Sequence, residues 1–215
     1  MGSARIAFLP TTPLLIPQVA TGAASELDTV RDAARRSVDQ VCQAADDVAV
    51  LVPGRADHRL DSWSLSGYGV SVGEGRSQPL PVAVAGWLLD GRDAHVLGAD
   101  LAADRLPDFD GVLVMGDGSS ARTEKAPGHL DARAIPFDTG VLDALGAGDA
   151  AALAGLDLQT AVAVGAAGAV VWQAVGGCVA TVDEAEVLAV DDQYGVLYVV
   201  AMWHAQWAGR AEPRG

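Results

Sequence analysis

The chain has 215 residues, half of them hydrophobic, which is enough to bury one substantial core in one domain or at most two. Its 14 basic and 28 acidic residues leave a formal net charge of −14. That charge argues against nucleic-acid binding, which relies on Lys and Arg to neutralise phosphates, and against binding to an anionic membrane surface. An acidic balance mostly favours solubility and names no partner by itself.

Two cysteines, Cys42 and Cys178, are too few for a disulfide framework in a chain of this size. Cys42 falls on the apolar stripe of a predicted helix, and Cys178 opens a predicted apolar strand. Buried free thiols are therefore the favoured interpretation, and a single disulfide between the two is the alternative. This cysteine usage predicts a cytoplasmic protein.

Two apolar segments resemble membrane signals only superficially. Pro10, Pro13 and Pro17 interrupt the N-terminal one. In the other, residues 161–177, a helix that ends at Gly176-Gly177 would have about 15 residues and a length of roughly 22 Å, which is shorter than the roughly 30 Å hydrocarbon core of a bilayer. We expect a buried helix there and no membrane contact.

The first 50 residues or so predict a strand, a helix and a second strand. Residues 4–9 form the first strand, which prolines stop, and Val48–Val52 is a short apolar run typical of a buried parallel strand. Ser25 and Asp28 are the predicted cap of the helix between them. Its apolar residues recur at intervals of three and four: Leu27, Val30, Ala34, Val38, Val41 and Ala45. The pattern predicts a parallel sheet with right-handed crossovers.

The remaining elements follow the same logic. We predict a short strand at 68–72, a helix at 81–89, a third buried strand at Gly111–Met115 and a loop at 116–133, then helices at 137–145, 149–156 and 160–175 and an antiparallel pair at 179–190 and 194–203. No repeat or linker divides the sequence. The predicted fold class is therefore α/β, a single domain over residues 1–215 with a central, mostly parallel sheet flanked by helices.

Three predicted strand ends carry polar or glycine residues. They are Pro10-Thr11-Thr12, Pro53-Gly54-Arg55 and Gly116-Asp117-Gly118. Because ligands of open α/β sheets bind at the carboxyl ends of the strands, we expect Thr11, Gly54 and Asp117 or Ser120 to lie near one crevice.

Several motifs, in this order, resemble those of the class III extradiol ring-cleaving dioxygenases, the LigB-like family. They are Leu9-Pro10-Thr11-Thr12-Pro13-Leu14-Leu15-Ile16-Pro17, Gly116-Asp117-Gly118-Ser119-Ser120, Ala126-Pro127-Gly128-His129, Phe137-Asp138-Thr139-Gly140 and the closing Gln193-Tyr194-Gly195-Val196-Leu197-Tyr198. The resemblance spans most of the chain and implies a LigB-like α/β fold. It also implies a site at the same three strand ends.

An active member of that family holds Fe(II) with two histidines and one carboxylate, and a further histidine acts as acid/base. In this chain, the three histidine positions are Thr11, Gly54 and Ser120. No Asp or Glu lies between Thr160 and Val182, where the family's glutamate would fall. The resemblance therefore predicts the family's fold without its Fe(II) site.

The leading hypothesis is a non-catalytic LigB-like protein whose crevice binds a small molecule. The predicted pocket residues are Thr11, Thr12, Gly54, Asp117, Ser119, Ser120 and His129. One alternative is a divergent extradiol-type dioxygenase, or another enzyme, with an Fe(II) site rebuilt from His58, His129 and Asp117. Another is a structural role with the crevice filled by the chain's own side chains. The sequence is also compatible with a homo-oligomer.

Two further patterns carry less weight. Residues 116–121 fit the G-x-G-x-x-A dinucleotide fingerprint, but Pro127 follows too soon for the helix that the fingerprint requires. Ser119 or Ser120 with His129 could suggest a hydrolase, although no Gly-x-Ser-x-Gly elbow is present. We expect His95 to be a surface residue and His204 to be structural.

Overall fold

A seven-stranded sheet forms the centre of the protein in a computed structural model that describes residues 2–209, apart from the side chains of Ala23 and Ala24. The strands are β1 (Ser3–Leu9), β2 (Val48–Val52), β3 (Asp57–Arg59), β6 (His95–Gly98), β7 (Gly111–Met115), β8 (Val179–Asp191) and β9 (Tyr198–Trp207), and a separate small hairpin contains β4 (Trp63–Ser64) and β5 (Gly73–Glu74). In the sheet, they are ordered β3-β6-β2-β7-β1-β9-β8.

Helices cover both faces of this sheet. They are α1 (Pro17–Ala20), α2 (Asp28–Ala44), α3 (Leu80–Leu89), α4 (Ala102–Arg105), α5 (Ala134–Ala147), α6 (Ala150–Ala154), α7 (Leu158–Val164) and α8 (Ala169–Cys178). Short 3-10 turns occupy Pro13–Leu15, Thr21–Leu27, Ser66–Tyr68, Ala99–Leu101 and Leu106–Asp108.

The predicted buried strands are adjacent in the sheet. β7 lies between β2 and β1 and is parallel to both, with Leu9 opposite Met115 at the end of one ladder. β6 extends the parallel part beyond β2, and β3 and β9 add antiparallel neighbours. Five of the seven strands therefore run in one direction, which confirms a mixed α/β fold with a mostly parallel sheet.

Successive side chains of the central strands point into two cores. Ala7 and Leu9 face one core with α2 and α3, while Ile6 and Phe8 face the other with α5, α6 and α8. In the second core, the Phe8 and Trp203 rings meet edge to face at 4.9 Å. Continuous apolar runs are therefore required here, because both faces of each strand are covered.

Several local predictions were wrong. Ser25 does not cap α2, because the chain already turns through Thr21–Leu27 and the Ser25 carbonyl accepts the Asp28 N–H. Residues 68–72 do not form a strand, since the strands of this loop lie on either side at β4 and β5. Cys178 ends α8 and does not begin a strand. The short strand β6 was missed altogether.

The predicted apolar helix at 160–175 is in fact two helices. α7 ends at Gly165, whose φ of +69° is the left-handed conformation that glycine adopts without strain. At Gly168, before α8, an added Cβ would lie 2.8 Å from the Asp117 carbonyl oxygen and 2.6 Å from Trp172. The break therefore lets this segment approach the end of β7 closely.

Both cysteines are free thiols. Cys42 packs at the edge of the first core and Cys178 is buried in the second, on the opposite face of the sheet. The alternative of a single disulfide is therefore wrong. Within residues 2–209, no helix is both long enough and apolar enough to cross a membrane.

Candidate functional site

Thr11 and Asp117 meet at the carboxyl ends of β1 and β7. The Gly116 N–H donates to the Leu9 carbonyl at 2.9 Å, which continues the ladder just past both strands. The Thr11 N–H then donates to Asp117 Oδ1 at 2.8 Å, and the Thr11 hydroxyl donates to Asp117 Oδ2. The strand ends thus join two groups that are 106 residues apart in the chain.

Burial raises the pKa of Asp117 to about 6, although both hydrogen bonds from Thr11 act to lower it. Tyr198 stands close by, since the Asp117 charge contributes to a raised Tyr198 pKa whose main cause is burial. The Thr12 side chain hydrogen-bonds Tyr198 and acts in the opposite direction on that pKa. Thr11, Thr12 and Tyr198 are all buried, and Asp117 keeps a part of its surface exposed.

A second network holds Ser119. The Ser119 N–H and hydroxyl donate to the Asp138 carboxylate at 2.9 and 2.5 Å, and Arg122 donates to the same carboxylate at 2.6 Å. Arg122 also donates to Asp192, between β8 and β9, at 2.9 Å. Ser119 and Asp138 are fully buried. Ser119 is therefore a structural anchor in a closed polar cluster and offers no free hydroxyl.

Ser120 lies apart from this cluster, at the edge of α7. Its N–H donates to the Val164 carbonyl at 3.0 Å, and its own carbonyl accepts the Gly128 N–H at 2.8 Å. His129 follows at a φ of +58° with an exposed side chain. No helix begins within residues 116–133, as expected for a loop and contrary to a dinucleotide fingerprint.

Gly54 lines a cavity that the Thr11–Asp117 pair does not line. This cavity has a volume of about 410 Å³ and opens where β2 and β6 end, against α4 and α8. Its wall is mostly apolar, and its lining residues are Gly54, Ala99, Asp100, Ala102, Ala103, Val170, Gln173, Ala174, Gly177 and Cys178. The Arg55 guanidinium lies 3.9 Å from the Asp100 carboxylate beside it.

The residues of the alternative metal site are not brought together. His58 is exposed in β3 at the outer edge of the sheet, His129 is exposed in the 116–133 loop, and Asp117 is bonded to Thr11. Within residues 2–209, no group of three or more His, Cys, Asp or Glu side chains is arranged to hold a metal ion. These residues therefore do not supply the three ligands of a two-histidine, one-carboxylate Fe(II) site.

The other two histidines also have defined places. His95 lies in β6 and is partly buried, with its Nε2 at 2.6 Å from the Asp57 carboxylate. The hydrogen bond with His95 is the main reason that the Asp57 pKa is lowered, and Arg105 adds to it. His204 lies in β9, directly opposite Arg5 of β1 in one antiparallel ladder and Glu184 of β8 in the other. His95 thus lies in a strand, where its ring contacts the Asp57 carboxylate, and is not simply a surface residue.

Sequence reasoning missed the groups that close the site. Asp138 and Tyr198 stand in the sequence only as parts of the motifs given above, and nothing in the sequence singles out Arg122. A polar residue within an apolar helix pattern, such as Asp138 in α5, is the one signal that could have flagged a buried carboxylate.

No protein-family model matches the sequence, and no curated protein matches it.

Proposed function

We propose that this chain is a LigB-like α/β protein that lacks the Fe(II) site of the extradiol dioxygenases and binds a small, largely apolar molecule in the cavity beside Gly54. The absence of the Fe(II) site is inferred from the two hydrogen bonds that Thr11 donates to Asp117. Thr11 stands at a position where the resemblance implies a histidine ligand, and both its N–H and its hydroxyl are used by one carboxylate.

The remaining family positions support the same proposal. Gly54 has no side chain to offer a metal, and the Ser120 hydroxyl has far too high a pKa to exchange protons near neutrality as a histidine does. The Ser119 hydroxyl already donates a hydrogen bond to Asp138. The hydrogen bonds of these groups hold the loops together. None of the groups can serve as the acid/base or as an imidazole ligand of Fe(II) in ring cleavage.

The cavity supports the second part of the proposal. Its volume of about 410 Å³ falls in the range of sites for small organic ligands, and it lies at the carboxyl ends of two parallel strands. An apolar wall with a few polar groups suits a small ring with one or two polar substituents. Asp100 and Gln173 are the lining groups that could orient it.

We expect protein purified without chelators to contain iron well below one equivalent per chain and to leave catechol and protocatechuate intact in an oxygen-uptake assay. The physical reason is the missing donor set, since Thr and Gly do not replace imidazoles as Fe(II) ligands. Elemental analysis together with the assay is the measurement. Iron near one equivalent with ring cleavage, both lost in His58→Ala or His129→Ala, would show that a rebuilt site exists.

Filling the cavity should weaken the binding of a probe. In ligand-observed NMR with catechol, phenol and indole, we expect at least one probe to bind the wild type and to bind Gly177→Phe at least about tenfold more weakly, a loss of about 1.4 kcal/mol. Gly177 lines the cavity from α8, and an added Cβ there has no atom within 4 Å.

Gly140→Phe is the matched control, because Gly140 lies on α5 and also has nothing within 4 Å of an added Cβ. It should bind the probe as the wild type does. Equal binding by wild type and Gly177→Phe, or no binding of any probe by the wild type, would count against a ligand site beside Gly54.

A further inference from the structure

One face of the protein is apolar and exposed. We call it the α7–α8 face, and it consists of Leu158, Ala161, Val162, Gly165, Ala166, Ala167, Ala169 and Val170 around a groove of about 370 Å³. The Val162 side chain projects from α7 at this groove and is 82% exposed. Ile135 is half exposed at the start of α5, next to Ala134, which packs with α7 and α8 residues. Such a contiguous apolar surface is typical of an interaction site.

The charge of the chain restricts what can cover this face. Residues 158–182 contain no Asp, Glu, Lys or Arg, although 20% of the whole chain is charged and its net charge is −14. Two charged residues stand at its border, where Asp157 caps α7 and lies near enough to Arg133 to raise the Arg133 pKa. An apolar centre with a charged rim is the usual composition of a protein interface.

We propose that the α7–α8 face is the interface of a symmetric homodimer, in which Val162 of each copy packs into the groove of the other. A twofold interface places the same surface on both sides, so any net charge within it would meet its like. For a chain with a charge of −14, two copies repel each other overall, and a charge-free face adds no like-charge contacts to that repulsion. A strongly charged partner would find no complementary group there.

Other surfaces fit a second copy less well. The edge strand β8 offers free backbone groups, but its exposed side chains include Asp183, Glu184 and Glu186, which would repel the same residues of another copy. In the groove, by contrast, Gly165, Ala166 and Ala169 are small, so a helix of a second copy can approach closely. The groove and the cavity beside Gly54 share one lining residue, Val170, and the variants that test the two proposals lie at other positions.

The test is the mass of the full chain in solution, by light scattering and sedimentation. At about 50 µM we expect the wild type to be a dimer and Val162→Glu to be a monomer, with the dissociation constant raised at least about tenfold. Val190→Glu is the matched control and should remain dimeric, because Val190 is a 48% exposed valine on β8. Ala167→Glu, which also places a carboxylate on the face, should behave as Val162→Glu does.

Salt adds a second readout. Because the dimer joins two acidic chains through an uncharged face, raising the salt concentration should strengthen it or leave it unchanged. Circular dichroism should show that each variant keeps the wild-type fold. The proposal is overturned if the wild type is monomeric at this concentration, or if Val162→Glu is as dimeric as Val190→Glu. A monomeric wild type that binds an apolar dye, with binding lost in Val162→Glu, would assign the groove to a small molecule.

Discussion

Replacing Asp138 with alanine is expected to lower the free energy of unfolding by about 3–4 kcal/mol, because the change leaves several buried donors without their acceptor. The Asp138 carboxylate is fully buried and accepts from the Ser119 N–H, the Ser119 hydroxyl and Arg122. Without it, Arg122, whose side chain is only 14% exposed, keeps only the partner Asp192. Urea unfolding at neutral pH measures the loss.

Asp192→Ala is the control, since it removes the other carboxylate from the same Arg122. The Asp192 side chain is 58% exposed, so its loss should cost less than about 1 kcal/mol. Asp138→Asn should fall between the two, because an amide oxygen still accepts the Ser119 N–H but carries no charge for Arg122. A cost for Asp138→Ala no larger than that for Asp192→Ala would mean that the buried cluster does not stabilise the fold.

Asp117→Asn should become more stable relative to the wild type as the pH rises from about 4 to above 6. Burial raises the folded-state pKa of Asp117 from 3.8 to about 6, so in this range the folded protein holds a proton that the unfolded chain has released. The favourable contribution of the protonated group is complete below pH 4 and is lost as the pH rises through 6. A shift of about two pH units corresponds to about 3 kcal/mol.

Urea unfolding of both proteins at several pH values isolates this effect, because the amide of Asp117→Asn does not titrate and a changed hydrogen bond to Thr11 gives an offset that is constant with pH. Asp131→Asn supplies a control of opposite sign. The hydrogen bond from Arg133 lowers the pKa of Asp131 to about 2, so wild-type Asp131 stabilises the fold above pH 4 and loses that effect as the pH falls towards 2. A difference between Asp117→Asn and wild type that does not change with pH would refute the raised pKa.

The sequence by itself determined the elements whose physical signal is local. Residues of β2 and β7 are apolar without interruption because helices cover both faces of the sheet, and that pattern needs no knowledge of the neighbours. The three- and four-residue spacing of α2 likewise follows from one buried face of a helix. These signals were sufficient to predict that β1, β2 and β7 would be neighbours in a mostly parallel sheet.

Tertiary structure decided where those elements stop and which polar groups meet. The single predicted helix at 160–175 divides because Gly168 packs against the end of β7, a contact that apolar periodicity does not encode. β6 escaped prediction because four residues beginning with His95 give too short a pattern, and its pairing with β2 supplies the missing stability.

The candidate site shows the same division. The convergence of strand ends predicted that Thr11 and Asp117 would be close, since parallel neighbours end at one edge of the sheet. Whether their donors and acceptors would be free or used by each other depended on side-chain geometry across 106 residues. Gly54, predicted for the same crevice, lines a different cavity because α4 and α8 close over the end of β2, and only the packing of those helices decides the shape of that space.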